Sequence, residues 1–341
     1  MGIGRRVDQV VGGLSRLLHG VRGAQHNTVD ELEKRYLDLS PGELFPAPPH
    51  LPDVRRHRSL LWHALRTMTL SWTSTHQILS PGYRRRHEGD YARNLQVKAR
   101  WLRPRRARQT AALVYVHGWL EPGSWAEEAV LFPRWTRALG VDILHVALPF
   151  HGPRNPPGAL FSGEYFWSGD LVRSVEAVRQ AVHDVRSAVA WLRAEGYGEV
   201  GVTGLSLGGA VTMVLACLVP PPDYIVPLIA HLEISHAVEH APILWRMKQD
   251  LDRWGVDAAR RRVLFDRLGL AKLRPVLAPE RQLWVQARED VYIDAAVAAK
   301  QWVRWGRPPI LWLKGGHMTF GMELDAITAR MASFRATLSR P

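Results

Sequence analysis

The apolar positions of this chain change period several times, and the changes mark out its elements. Ile3, Val7, Val10, Leu14, Leu17 and Val21 recur at steps of three and four, the spacing of one helix face. Arg5, Arg6, Arg16 and Arg22 lie between them, so residues 1–25 predict an amphipathic helix with a basic face. Packing on the domain is the reading favoured for it; peripheral contact with an anionic membrane is the alternative such a face allows. Glycines at 12, 13 and 20 weaken it as a free helix. A proline-rich connector over 40–53 follows, then a helix-like pattern over 58–80 that ends at the turn Ser80-Pro81-Gly82. Together these predict a helical N-terminal extension over residues 1–90. At Leu95, Val97, Ala99 and Trp101 the period falls to two, which predicts a strand. Arg103 to Arg108 then reads as a basic, solvated connection.

From Ala111 strand and helix patterns alternate. Strands are expected over Ala111–Val116, Val141–Ala147, Glu199–Thr203, Tyr224–Ile234, Gln282–Arg288 and Pro309–Leu313. Between them Ser124 is placed to cap a helix running to Ala138. Asp170 is placed to cap a long helix that Gly196 closes. Further helices are expected over Gly209–Val219, 236–274, Ile293–Trp305 and from Leu324 to Leu338. Repeated βα units with uniformly apolar strands mean an α/β fold, a mostly parallel central sheet with helices on both faces. It occupies residues 91–341.

With 46% hydrophobic and 23% charged residues, the 341-residue chain has ample material for a core. Its net charge of +13 attracts acidic partners. Aromatic residues do not interleave with the basic runs, which argues against a nucleic-acid partner. The single cysteine, Cys217, permits no intrachain disulfide and reads as a core residue. No signal-peptide pattern or membrane span is evident, so a cytoplasmic location is expected, with membrane-peripheral attachment as the variant. No metal-ligand spacing and no phosphate loop are present, so neither metal nor cofactor is expected.

The chemistry centres on Gly204-Leu205-Ser206-Leu207-Gly208, which lies between a strand and a helix. That is the context of a nucleophile elbow, where glycines flank a serine at a crowded turn. A serine hydroxyl needs a base to take its proton and a third group to orient the base. Catalytic groups of such sheets lie beyond the carboxyl ends of strands. Strand Gln282–Arg288 ends at Glu289-Asp290, and strand Pro309–Leu313 ends at Lys314-Gly315-Gly316-His317. Ser206, His317 and Asp290 are therefore the catalytic candidates, with Glu289 and Glu233 as rival acids. The oxyanion needs two N–H donors; those of Leu207 and Trp119 are the candidates. His117 is expected to brace the Trp119 loop. His151, Phe161 and Trp167 are candidate substrate-binding residues, and Arg154 and Glu164 either pair to order their loop or touch substrate.

These motifs, Val116-His117-Gly118-Trp119, the elbow, Asp290 and Gly-Gly-His317, resemble the α/β-hydrolase superfamily. The resemblance implies a cofactor-independent serine hydrolase with a small helical cap inserted after the sixth strand, which residues 236–274 fit. Leu148-Pro149-Phe150-His151-Gly152-Pro153-Arg154, Ser162-Gly163-Glu164 and Trp191 to Gly198 further resemble the α/β-hydrolase domain-containing protein 18 group. That likeness implies a lipid or other acyl-ester substrate. The expected function is cleavage of a carboxylic ester, esterase- or lipase-like, through an acyl-enzyme. Acyl transfer by the same triad and a non-catalytic binding protein on a hydrolase scaffold are the alternatives.

Overall fold

The computed structural model describes residues 2–19, 22–58, 65–105 and 108–338. Nine strands form one sheet: β1 Arg55–Arg58, β2 Arg66–Thr73, β3 Gln96–Arg103, β4 Ala111–Val116, β5 Asp142–Val146, β6 Glu199–Leu205, β7 Tyr224–Leu228, β8 Trp284–Ala287 and β9 Ile310–Leu313. Their order across the sheet is β1-β2-β3-β5-β4-β6-β7-β8-β9. The pairs from β5 through β9 are parallel, and β1, β2 and β3 join antiparallel at one edge. Every residue of β4, β5 and β7 is buried, as parallel strands covered on both faces require.

Twelve α-helices accompany the sheet among the described residues. They are α1 Ile3–His19, α2 Val29–Arg35, α3 Pro41–Leu44, α4 Pro81–Glu88, α5 Phe132–Leu139, α6 Leu171–Ala194, α7 Leu207–Ala216, α8 Ile234–His240, α9 Trp245–Arg253, α10 Ala258–Leu268, α11 Ala295–Arg304 and α12 Leu324–Leu338. Two core clusters result, one on each sheet face, around Val114 and Val202 and around Tyr115 and Val285. Asp170 caps α6, its carboxylate accepting from Arg173 N at 3.2 Å.

The helix-like reading of 58–80 is corrected. Residues 59–64 lie outside the described set, and 66–73 form β2. Met68, Leu70 and Trp72 alternate there with Thr67, Thr69 and Ser71, and the whole of β2 pairs with β3. Threonines and alternation favour a pleated strand over a helix. The expected helical extension thus contributes two strands to the sheet. At the other boundary, β7 ends at Leu228, and Ile229 takes φ 51°. The expected strand to Ile234 gives way to a loop, and Ile234 begins α8. Val21 of the first helix and residues 106 and 107 of the basic connection lie outside the described residues.

α6 carries Glu176, Arg179 and Asp184 fully buried, which its apolar repeat did not announce. Tyr36, Leu44, His76 and Leu79, from the chain ahead of β3, cover that charged face. Glu176 accepts from Tyr36 Oη at 2.6 Å and from Leu79 N at 2.9 Å, and pairs with His76 at 2.8 Å and Arg179 at 2.6 Å. These partners outweigh the burial that would raise its pKa and hold it at about 2.

Candidate active site

β6 runs into Ser206 and α7 runs out of it. Ser206 has φ 54° and ψ −111°, a conformation a non-glycine residue adopts only where its surroundings force it. Its N–H donates to Leu228 O at 2.9 Å, and Ala210 N donates to its carbonyl at 2.9 Å. The flanking glycines permit the turn. A Cβ on Gly204 would stand 2.3 Å from Gly208 O, and one on Gly208 would stand 2.0 Å from Val116 O. Leu207 opens α7, so its N–H belongs to the helical first turn, which has no intrahelical acceptor.

Asp290 follows β8 and His317 follows β9. Asp290 Oδ2 lies 2.7 Å from His317 Nδ1. A carboxylate is an acceptor, so Nδ1 carries the proton and Nε2 is left as the basic nitrogen. Asp290 Oδ1 accepts from Tyr292 N at 2.7 Å and Ile293 N at 2.8 Å. Burial alone would pull the His317 pKa down; the Asp290 carboxylate, with Asp8 behind it, outweighs this and raises it above its ordinary value. The rival acids are engaged elsewhere: Glu233 pairs with Arg304 at 2.5 Å, and Glu289 accepts from Arg5 N at 3.4 Å.

Ser206 and His317 line one cavity of about 420 Å³, together with Trp119, Leu207 and Trp167. The lining is mainly apolar, and its other polar members include His231, Tyr292, Glu121 and Glu127. Burial, reinforced by Glu127, pushes the Glu121 carboxyl up to about 9, so it stays neutral at pH 7. Burial holds the His231 pKa down at about 4. Its Nδ1 accepts from Glu233 N at 3.1 Å.

The substrate-binding candidates divide. Trp167 lines the Ser206 cavity. Phe161 lines a neighbouring, more polar cavity of about 300 Å³ that shares Trp119, Trp167, Ile243 and Leu244 with the first. His151 does not line the Ser206 cavity, which corrects that expectation. It is buried, bonded through Nδ1 to Pro149 O at 2.8 Å and packed on His117 and Phe166. His117 braces its loop from both nitrogens, through Gly118 O at 2.7 Å and Leu148 N at 2.9 Å. Trp119 donates its indole N–H to Gly163 O at 2.8 Å. Arg154 and Glu164 do not pair. Arg154 is bound by Asp184 at 2.9 Å and by two carbonyls, and Glu164 accepts from Leu160 N at 2.5 Å.

One participant was not anticipated. Asp8 of α1 is buried against the His317 loop, its carboxylate accepting from His317 N at 2.7 Å and Met318 N at 2.8 Å. The only trace of this in the sequence is the four-residue spacing of Gly4, Asp8 and Gly12.

Comparison with known proteins agrees with this architecture. Residues 138–238 match the model of the family described as alpha/beta hydrolase domain containing 18. An uncharacterized protein of Mycobacterium tuberculosis strain H37Rv is 30% identical over 224 residues, which cover 61% of this chain and 50% of that protein. Its counterpart from strain CDC 1551 matches equally. The match thus spans about half the length of these curated relatives. Among solved structures, an acetyl xylan esterase from Paenibacillus sp. R4 aligns with a TM-score of 0.58 at 13% identity, over 94% of this chain and 98% of that one. Acetyl xylan esterase 1 from Thermoanaerobacterium sp. JW/SL YS485 aligns with a TM-score of 0.59 at 14% identity, over 95% and 98%. The chain has the α/β-hydrolase fold.

Proposed function

We propose that the protein is a serine hydrolase that cleaves a carboxylic ester through an acyl-enzyme. The observation that carries this reading is the 2.7 Å His317–Asp290 pair opening on the same cavity as a serine at φ 54°. Ser206 Oγ attacks the ester carbonyl carbon while His317 Nε2 takes its proton. Asp290 holds the imidazole with Nε2 toward the serine and stabilises the imidazolium. The main-chain N–H groups of Leu207 and Trp119 receive the oxyanion. The C–O bond to the alcohol breaks as His317 returns the proton to it. Water, deprotonated by the same histidine, then releases the acid and frees Ser206. Helices α8 to α10, which fill the expected cap segment 236–274 with α8 beginning two residues earlier at Ile234, are read as the cap over this cavity. The apolar lining supports an acyl chain as the buried part of the substrate, and the esterase names of the structural neighbours agree with the class of reaction.

The test is labelling with a fluorophosphonate probe, followed by turnover of p-nitrophenyl esters. Wild type should label and turn over; Ser206→Ala and His317→Ala should do neither. Equal labelling of wild type and Ser206→Ala would refute the assignment.

A further inference from the structure

α1 meets the site with an unusual face. Ile3, Val10 and Leu14 are 77%, 64% and 57% exposed, whereas Gly4, Asp8 and Gly12 face inward. Residues four apart share a helix face. The glycines at either end let the backbone come close: a Cβ on Gly4 would stand 2.3 Å from Gly316 N, and one on Gly12 3.2 Å from the Tyr292 hydroxyl. That approach brings the short Asp8 side chain into the space between two loops. Oδ2 accepts from His317 N at 2.7 Å and from Val291 N at 3.3 Å. Oδ1 accepts from Met318 N at 2.8 Å, and the Asp8 carbonyl accepts from the Tyr292 hydroxyl at 2.8 Å. One residue thereby bonds the loop after β8, which carries Asp290, and the loop after β9, which carries His317.

We propose that Asp8 is a positioning residue for the catalytic pair, fixing the Asp290 loop against the His317 loop and placing a second negative charge behind the imidazole. This rests on the triad reading above. It makes α1 part of the catalytic apparatus rather than a covering helix. A shift of about 1 Å in a reacting group costs on the order of 10²-fold in rate, and these two loops are tied by Asp8 at the point where such a shift would arise.

The experiment uses the full chain as wild type, Asp8→Asn and Gly4→Ala. Melting temperature, kcat, KM for a short p-nitrophenyl ester and the pH profile of kcat/KM are measured for each. Asp8→Asn removes the charge, and Gly4→Ala keeps it while wedging α1 away from Gly316. Both should lower kcat by about 10- to 100-fold with KM changed much less. Only Asp8→Asn should move the acid limb of kcat/KM to lower pH, because it removes one of the two carboxylates that raise the His317 pKa. A folded Asp8→Asn with wild-type kcat and limb overturns the proposal. If Asp8→Asn does not fold, Gly4→Ala decides: wild-type kcat in that variant overturns it equally. A wild type that neither labels with fluorophosphonate nor turns over sinks the triad reading itself, and the role of Asp8 with it.

Discussion

Asp290 divides its carboxylate between two tasks: Oδ2 meets His317 Nδ1 at 2.7 Å, and Oδ1 accepts the N–H groups of Tyr292 and Ile293. The second task holds the carboxylate still for the first. Asp290→Asn keeps the shape but offers an amide where the imidazole needs an acceptor, favouring the wrong tautomer. We expect kcat to fall by about 10³- to 10⁴-fold with KM nearly constant, measured by steady-state kinetics on a p-nitrophenyl ester.

The pH profile follows from the same pair. In the proposed mechanism His317 works as a base, so activity is lost as it protonates. Asp290 and Asp8 raise its pKa above the ordinary 6.5, so the acid limb of kcat/KM should lie above that value. In Asp290→Asn the limb should move to lower pH. A limb unmoved by that substitution would assign the titration to another group.

Trp119, Trp167, Ile243 and Leu244 form a wall shared by the cavities of about 420 and 300 Å³. Trp167→Ala should open one into the other. Each further methylene then buried is worth up to about 0.8 kcal/mol, or roughly fourfold. The ratio of kcat/KM for octanoyl over butyryl esters should rise in the variant, and an unchanged ratio would place the acyl chain elsewhere.

Stability should depend on acid through Glu176. Its folded pKa is depressed from 4.5 to about 2. The stabilisation is therefore complete above the unfolded value and fades as pH falls from 4.5 toward 2. Urea melts across that window should show a weaker decline for Glu176→Gln, which starts from a lower stability at pH 7 because Tyr36, His76, Arg179 and the Leu79 amide lose a carboxylate.

The tight turn at Ser206 was legible because its constraint is local. Gly204 and Gly208 sit within four positions of each other, and each answers a clash inside the same turn. Strands β4 to β8 were legible because burial on both faces leaves a continuous apolar run, and β9, half-buried at the sheet edge, because all four of its residues are apolar. β1 was not: Arg55-Arg56-His57-Arg58 lies at the sheet edge, where pairing through the backbone needs no apolar residue. The alternation of β2 is present at Met68, Leu70 and Trp72, but a helical period fits the wider stretch 58–80 as well. The charged residues of α6 gave no warning of burial, since their partners, such as Tyr36 and His76, lie 140 and 100 positions away. Asp8 is the extreme case, 309 positions from the amide it holds.

That separation has a consequence for synthesis. α1 leaves the ribosome more than 300 residues ahead of the amides it grips at 317 and 318. At about 5–20 residues per second this interval is roughly 15 to 60 s. Throughout it Asp8 is a carboxylate without its final bonds, and the two loops it joins are unlinked. The contacts among Asp8, Asp290 and His317 can close only after residue 318 has been made, so a nascent chain carries Ser206 long before these contacts form.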